Sequence, residues 1–389
     1  LVYSEFGWVM GTPYPTPVQK FDSGNGAVRF AGWTGGGNAG VIYRGMRYYL
    51  EDKPQFLDDP TGEFWFEKKG TGGTLYLRSP GGLDPNTMRW EAGFRPVLIE
   101  AREARHLEIS GLDFRWTSMY WNLAVAAWDF GTKPFGIRED ASPAAIRVRG
   151  MADHVRIAHC GFVDVAKGLE MRPVKAGEEI RNVTIEDNRF RTADIGAAHL
   201  SNGTGWGFAR PVGRLDGIRV YRNHASGIGF RPTRYERGCA FDFTGAEVLH
   251  VAGNVIERSG AQAINVVAGK VGGVRGEVPL VRVLIHQNKA WKTMQNGNDF
   301  GGIEAWQHGP VYMFNNVSHD ARGQWEGRRR MEKGGTPGFG HAYYLDGGFK
   351  NYVFNNIAWG KSGDPESPMA NCAACLLYTS DAADEVSPV

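Results

Sequence analysis

The sequence predicts an all-β chain, a parallel β-helix preceded by an antiparallel β-rich module, and three observations carry that expectation. First, a six-residue pattern recurs eight times: Leu107–Leu112, Val155–Cys160, Val183–Asn188, Ile218–Asn223, Leu249–Asn254, Val283–Asn288, Val311–Asn316 and Asn351–Asn356. Its first and third positions are mostly aliphatic and its sixth is Asn in six copies, at intervals of 48, 28, 35, 31, 34, 28 and 40 residues, the period range of a solenoid. Second, the aliphatic residues alternate with polar ones at strand period, and no segment sustains a helical stripe, which excludes the helical repeats. Third, Gly is high at 54, as a chain of many tight turns requires.

Residues 1–103 read as the antiparallel module. Short apolar runs at Ala27–Phe30, Gly40–Tyr43, Gly62–Phe66 and Thr74–Leu77 are separated by Gly, Pro and Asp, as in strands packed on one face. Glu63–Phe66 and Thr74–Leu77 form an expected hairpin closed by residues 68–73. No catalytic constellation stands in this module.

The β-helix is expected over residues 104–372. A side-chain amide at one position per coil can donate to and accept from its equivalents above and below, and Asn also tolerates the left-handed backbone of a tight turn. The Asn column is therefore structural. Cys160 takes the same position in its copy and is expected to be a small buried residue. A second strand per coil is read at Gly168-Leu169-Glu170, Phe241-Asp242, Ile264-Asn265, Ile303-Glu304 and Leu345-Asp346. With the aliphatic member inside, Glu170, Asp242, Asn265, Glu304 and Asp346 line an outer groove, with His199 near it.

The chemistry centres on Glu304 and Asp346. Phe300–Trp306 and His341–Gly347 both lead through glycine or aromatic residues to one carboxylate, and stacking them in register sets the two acids ~5 Å apart. That is the spacing of a retaining glycosidase pair. Two exposed acids splayed into water are the alternative. Trp306 and Tyr344 stand two residues from a carboxylate on the same side of the strand, placed to stack on a sugar ring. His308 and His341 are close enough to donate to hydroxyls, and Asp242 and Asn265 join them as substrate-binding candidates. Residues 322–340 form a long Gly- and Arg-rich connection, a flap over the sugar if functional, and the aromatic run Trp116–Trp121 could close one end of the groove or pack in the core.

Composition narrows the partners. Lys plus Arg at 44 against Asp plus Glu at 42 gives no field that would favour nucleic acid or an acidic membrane, and Arg328-Arg329-Arg330 reads as a solvated loop. Four cysteines at 160, 239, 372 and 375 make neither a disulfide framework nor a zinc site. No metal, no cofactor and no bilayer span are expected, and the chain is expected to act as a monomer on carbohydrate.

The runs Arg47–Asp52, Phe56–Phe66 and Gly73–Leu77, followed by His106–Trp116 and Val155–Met171, resemble glycoside hydrolase family 141 and its relatives in the pectate-lyase-like superfamily. The resemblance covers roughly residues 40 to 360. It implies a right-handed parallel β-helix and activity on α-L-fucosides or xylan in plant polysaccharides. It also implies Glu304 and Asp346 as the catalytic pair; which is nucleophile it leaves open, Asp346 being the favoured nucleophile and Glu304 the favoured acid/base. The Arg-rich insertion after Asp320 departs from the family. A polysaccharide lyase with a base such as Lys292 or Arg322, and a non-catalytic carbohydrate-binding β-helix, are the competing functions. Leu1 is not an initiator methionine and no signal peptide opens the chain, yet a polymer substrate implies an extracellular or periplasmic site. Residues 373–389 resemble a translated sequencing-adapter tail, which would leave the last coil uncapped.

Overall fold

The computed structural model describes residues 2–5, 13–16, 18–30, 48–50, 53–118, 143–203, 212–230, 238–267, 281–296, 300–323, 340–348, 350–360 and 375–377. Gly40–Tyr43, Arg328–Arg330 and nearly all of 322–340 lie outside them, as does Cys372. Among the described residues the architecture is all-β, and no helix is long and apolar enough to cross a membrane.

From Val97 onward the strands join one continuous parallel sheet that wraps into three faces per coil. The first rung thus opens seven residues ahead of the boundary expected at 104. The ladder face carries Glu179–Glu186, Ile218–Tyr221, Val248–Ala252, Arg282–His286, Val311–Phe314 and Tyr352–Phe354. The second face carries His224–Ile228, Val255–Ser259, Lys289–Trp291, Val317–His319 and Ile357–Trp359. The third face carries Phe241–Thr244, Ile264–Val267, Phe300–Trp306, Gly340–Asp346 and Cys375–Leu377. In the first coils, the long strands Ala144–Ala158, Gly161–Arg172 and Arg189–Ser201 bend through a corner and serve two faces each. Cys375–Leu377, inside the segment read as an adapter tail, pairs with Tyr344–Asp346 as a further rung.

The eight sequence repeats stack in the register the pattern predicts, with Val155 against Leu107 and Val183, and Leu249 against Ile218 and Val283. The third position forms one interior column, Ile157, Ile185, Val220, Val251, Ile285 and Met313, all fully buried. Each such side chain contributes ~1.5–3 kcal/mol through its burial. Phe162 is stacked between Phe114 and Phe190, at centroid distances of 5.0 and 4.7 Å, inside the first coils.

The Asn ladder closes as a chain of amides. Asn223, for example, donates from its backbone N and from Nδ2 to Asn254 Oδ1, at 2.9 and 3.0 Å, and the same pair of bonds links 188 to 223, 254 to 288, 288 to 316 and 316 to 356. Cys160 caps the ladder, 2% exposed, its backbone N donating to Asn188 Oδ1. The left-handed turn falls elsewhere than expected. The residue before each Asn takes positive φ, as at Asp187, Arg222, Gln287, Asn315 and Asn355, so the Asn serves as the hydrogen-bonding member and its predecessor as the bend.

The N-terminal strands pair antiparallel: Val2–Glu5 with Pro13–Thr16 and Tyr48–Leu50, Val18–Asp22 with Ala27–Phe30, and Glu63–Lys69 with Gly72–Arg78. The last is the expected hairpin, but its strands run further and leave only Gly70-Thr71 in the turn, with Gly70 at φ 61°. The packed face expected for this module is not formed among the described residues, where Phe64, Phe66 and Leu75 stand exposed.

Candidate functional site on the third face

Parallel pairing on the third face sets Glu100, Arg147, Glu170, His199, Asp242, Asn265, Glu304 and Tyr344 in one column, each against the next. Their strand neighbours, such as Phe241 and Phe243, Ile264 and Val266, or Ile303 and Ala305, belong to the core, so strand alternation turns the column outward. Glu170, His199, Asp242, Asn265 and Glu304 thus come together as expected.

Asp346 does not join them. Its partner across the strands is Trp306, and the residue beside Glu304 is Tyr344. One rung sideways and two residues along the strand, the Glu304 and Asp346 backbones are about 8 Å apart instead of ~5 Å. The expected adjacent pair is therefore not formed. Tyr343, 3% exposed, takes the interior position that Phe241, Ile264 and Ile303 hold in the preceding coils, its Oη donating to the Ile357 carbonyl at 3.1 Å. A signal in the sequence marks the true register. Asp242, Glu304 and Tyr344 each lie twelve residues before a ladder Asn, at 254, 316 and 356, whereas Asp346 lies ten before.

The column is not an open groove along its length. Glu304 is fully buried, Asn265 is 2% and Tyr344 4% exposed, while His199 and Asp242 are half-buried. Glu304 Oε2 accepts from Gln262 Nε2 at 2.9 Å and from the Gly301 backbone N at 3.0 Å. Gln262, itself fully buried, is fixed in turn by the Cys239 thiol donating to its Oε1 at 3.1 Å. Gly301 is required at its position, since a Cβ there would meet Tyr344 Cβ at 2.7 Å. Sequence reasoning missed Gln262, which lies outside the repeated two-residue pattern.

Asn265 stands between Asp242 and Glu304 and is bonded to the first. Its Nδ2 donates to Asp242 Oδ1 at 2.8 Å, and that bond fixes which end of the amide faces Asp242. Its Oδ1 is buried and accepts no hydrogen bond among the described residues. His199 Nε2 lies 3.0 Å from the Cys239 carbonyl; a carbonyl only accepts, so Nε2 carries the proton.

The remaining candidates divide. Trp306 is half-buried and its Nε1 donates to Asp346 Oδ2 at 3.0 Å, which makes Asp346 the residue that orients the indole. The His341 ring is stacked on Tyr344 at 5.0 Å and 4°, so both sit at the Glu304 end. His308 is 2% exposed with Nε2 donating to the Ala246 carbonyl at 2.9 Å, and burial pulls its pKa down to about 4, so the ring is neutral. Lys292 and Arg322 follow the second-face strands Lys289–Trp291 and Val317–His319. Of the aromatic run at 116–121, Trp116 is exposed, and 119–121 lie outside the described residues.

At the opposite end, Lys167 Nζ donates to Glu170 Oε2 at 2.9 Å, and Arg149 and Arg172 approach Glu170 Oε1 at 3.7 and 3.6 Å. Arg147 pairs with Glu100 at 2.9 Å. Among the described residues no group of three or more His, Cys, Asp or Glu could hold a metal ion. No protein-family model, curated protein or solved structure matches the chain.

Proposed function

We propose that the chain is a glycoside hydrolase acting on plant cell-wall polysaccharide, an α-L-fucoside or a xylan, with Asp242 and Glu304 as its two carboxylates. The observation that carries the reading is the run Asp242, Asn265, Glu304: two acids on one face, two rungs and therefore ~9.6 Å apart along the sheet. Between them lies a buried amide whose oxygen awaits a donor, which a sugar hydroxyl or a water would supply. Two rungs is about twice the ~5 Å of a retaining pair and close to the upper end of the carboxyl separation, about 6.5–9.5 Å, that leaves room for a water, so the spacing favours inversion over the retaining mechanism expected of an adjacent pair.

The roles follow from how each carboxylate is held. Asp242, half-buried and oriented by Asn265, is the general base that activates water, and Glu304, held rigidly by Gln262 and Gly301, is the general acid. Trp306, oriented by Asp346, supplies the stacking wall. Incubation of the protein with aryl α-L-fucoside, xylan and pectin tests the reading. A saturated reducing sugar, lost in D242N and E304Q and largely kept in D346N, is expected. Activity that survives both of the first two substitutions overturns it.

A polysaccharide lyase is the competing reading, and the product separates the two. Its product would be an unsaturated sugar that absorbs in the ultraviolet.

A further inference from the structure

We propose that the N-terminal end of the column is an anion subsite, which selects saccharides bearing a carboxylate or a sulfate. The inference rests on the carbohydrate reading above and names the substrate class for that site.

Arg149 carries it. This side chain is 12% exposed, and it faces Arg172 on the next rung. Its Nε and Nη2 are buried and make no hydrogen bond among the described residues, and its nearest carboxylate oxygen is 3.7 Å away. A guanidinium is a rigid fork of donors, and burying it without acceptors is costly. Glu170 cannot relieve that cost, because the one carboxylate is shared with Lys167 at 2.9 Å and Arg172 at 3.6 Å. Burial, and then the neighbouring Arg172, lower the Arg149 pKa, so the site resists its own charge. An anion meeting the exposed edge of the Arg149 side chain would supply the guanidinium with the counter-charge it lacks and offset the repulsion between Arg149 and Arg172. Planar, two-oxygen recognition of this kind is what arginine does best with carboxylates and sulfate-like oxyanions.

The location fits one ligand reaching both ends. Arg147, on the Arg149 strand, stands three rungs from Asp242 in the column, ~14 Å at the spacing of parallel strands. An oligosaccharide laid along the third face with an acidic residue at Arg149 therefore presents a later linkage to Asp242 and Glu304.

Calorimetric titration of the full chain with length-matched oligogalacturonate, sulfated xylo-oligosaccharide and neutral xylo-oligosaccharide tests this, in the wild type and in R149Q and R149K. Expected are binding of at least one acidic oligosaccharide about tenfold tighter than the neutral one, loss of that preference in R149Q, and a partial loss in R149K, whose ammonium keeps the charge without the fork. Whether carboxylate or sulfate is preferred identifies the anion. Equal binding of acidic and neutral oligosaccharides by the wild type overturns the subsite and leaves the carbohydrate reading intact. Binding of none of them overturns both. If R149Q fails to fold, the wild-type preference and its weakening by added salt decide the matter.

Discussion

Replacing Asn254 with Ala removes the middle of the amide ladder, and the cost can be worked from the contacts. Asn254 is fully buried. Its Oδ1 accepts from the Asn223 backbone N and Nδ2, and its Nδ2 donates to the Val220 carbonyl at 2.9 Å and to Asn288 Oδ1 at 2.9 Å. In N254A the Asn223 N–H loses its acceptor and the Val220 carbonyl loses the amide donor, whereas Asn288 Oδ1 keeps the Asn254 backbone N–H. Two to three buried groups left without partners, at ~1–3 kcal/mol each, sum to about 4 kcal/mol. The same change at Asn356, half-buried at the far end of the ladder, lets water replace the lost bonds and costs about 1 kcal/mol. With a urea slope of roughly 3 kcal/mol/M, the midpoint falls by ~1.3 M for N254A and by ~0.3 M for N356A. Urea unfolding followed by circular dichroism measures both. Equal shifts, or a shift under ~0.3 M for N254A, would refute the ladder as a source of stability.

Two further outcomes follow. Unfolded, His308 binds a proton near pH 6.5, but folded it does so only near 4, so the unfolded state takes up more protons between these values. Its contribution is complete above pH 6.5 and is lost as pH falls toward 4, by about 3 kcal/mol in all. His250, also lowered chiefly by burial, adds in the same direction, and H308Q should flatten most of the slope in urea midpoints measured from pH 7.5 to 4.5. Gly301→Ala drives a methyl into Tyr344 and displaces the amide that holds Glu304, so it should cost ~1–3 kcal/mol by thermal melting and lower kcat more than KM changes.

The fold was legible because a parallel β-helix repeats its interactions once per coil. Each ladder Asn must meet the next, so the residue type recurs even where the intervals range from 28 to 48. The core column beside it needs only aliphatic side chains at fixed offsets. The candidate site was less legible because its column is not chemically uniform. It changes from Arg to Glu, His, Asp, Asn, Glu and Tyr, and the one rung that was misread has Tyr344 in the column and so no carboxylate to mark its register. Leu345-Asp346 imitates Ile303-Glu304 in sequence while sitting two residues further along the strand. Burial was legible only in part: that Glu304 and His308 lie wholly out of solvent depends on packing across coils. The carboxylate of Glu170 is shared by Lys167 and Arg172 of its own strand and by Arg149 of the preceding one, a pairing that only the register of the two strands reveals.

The stereochemistry of the first-formed product tests the central claim most directly. With Asp242 and Glu304 two rungs apart, proton NMR during turnover should show the anomer opposite to that of the substrate, with mutarotation following later. A first product of retained configuration would contradict the assignment, because it demands two carboxylates ~5 Å apart, which this column does not bring together.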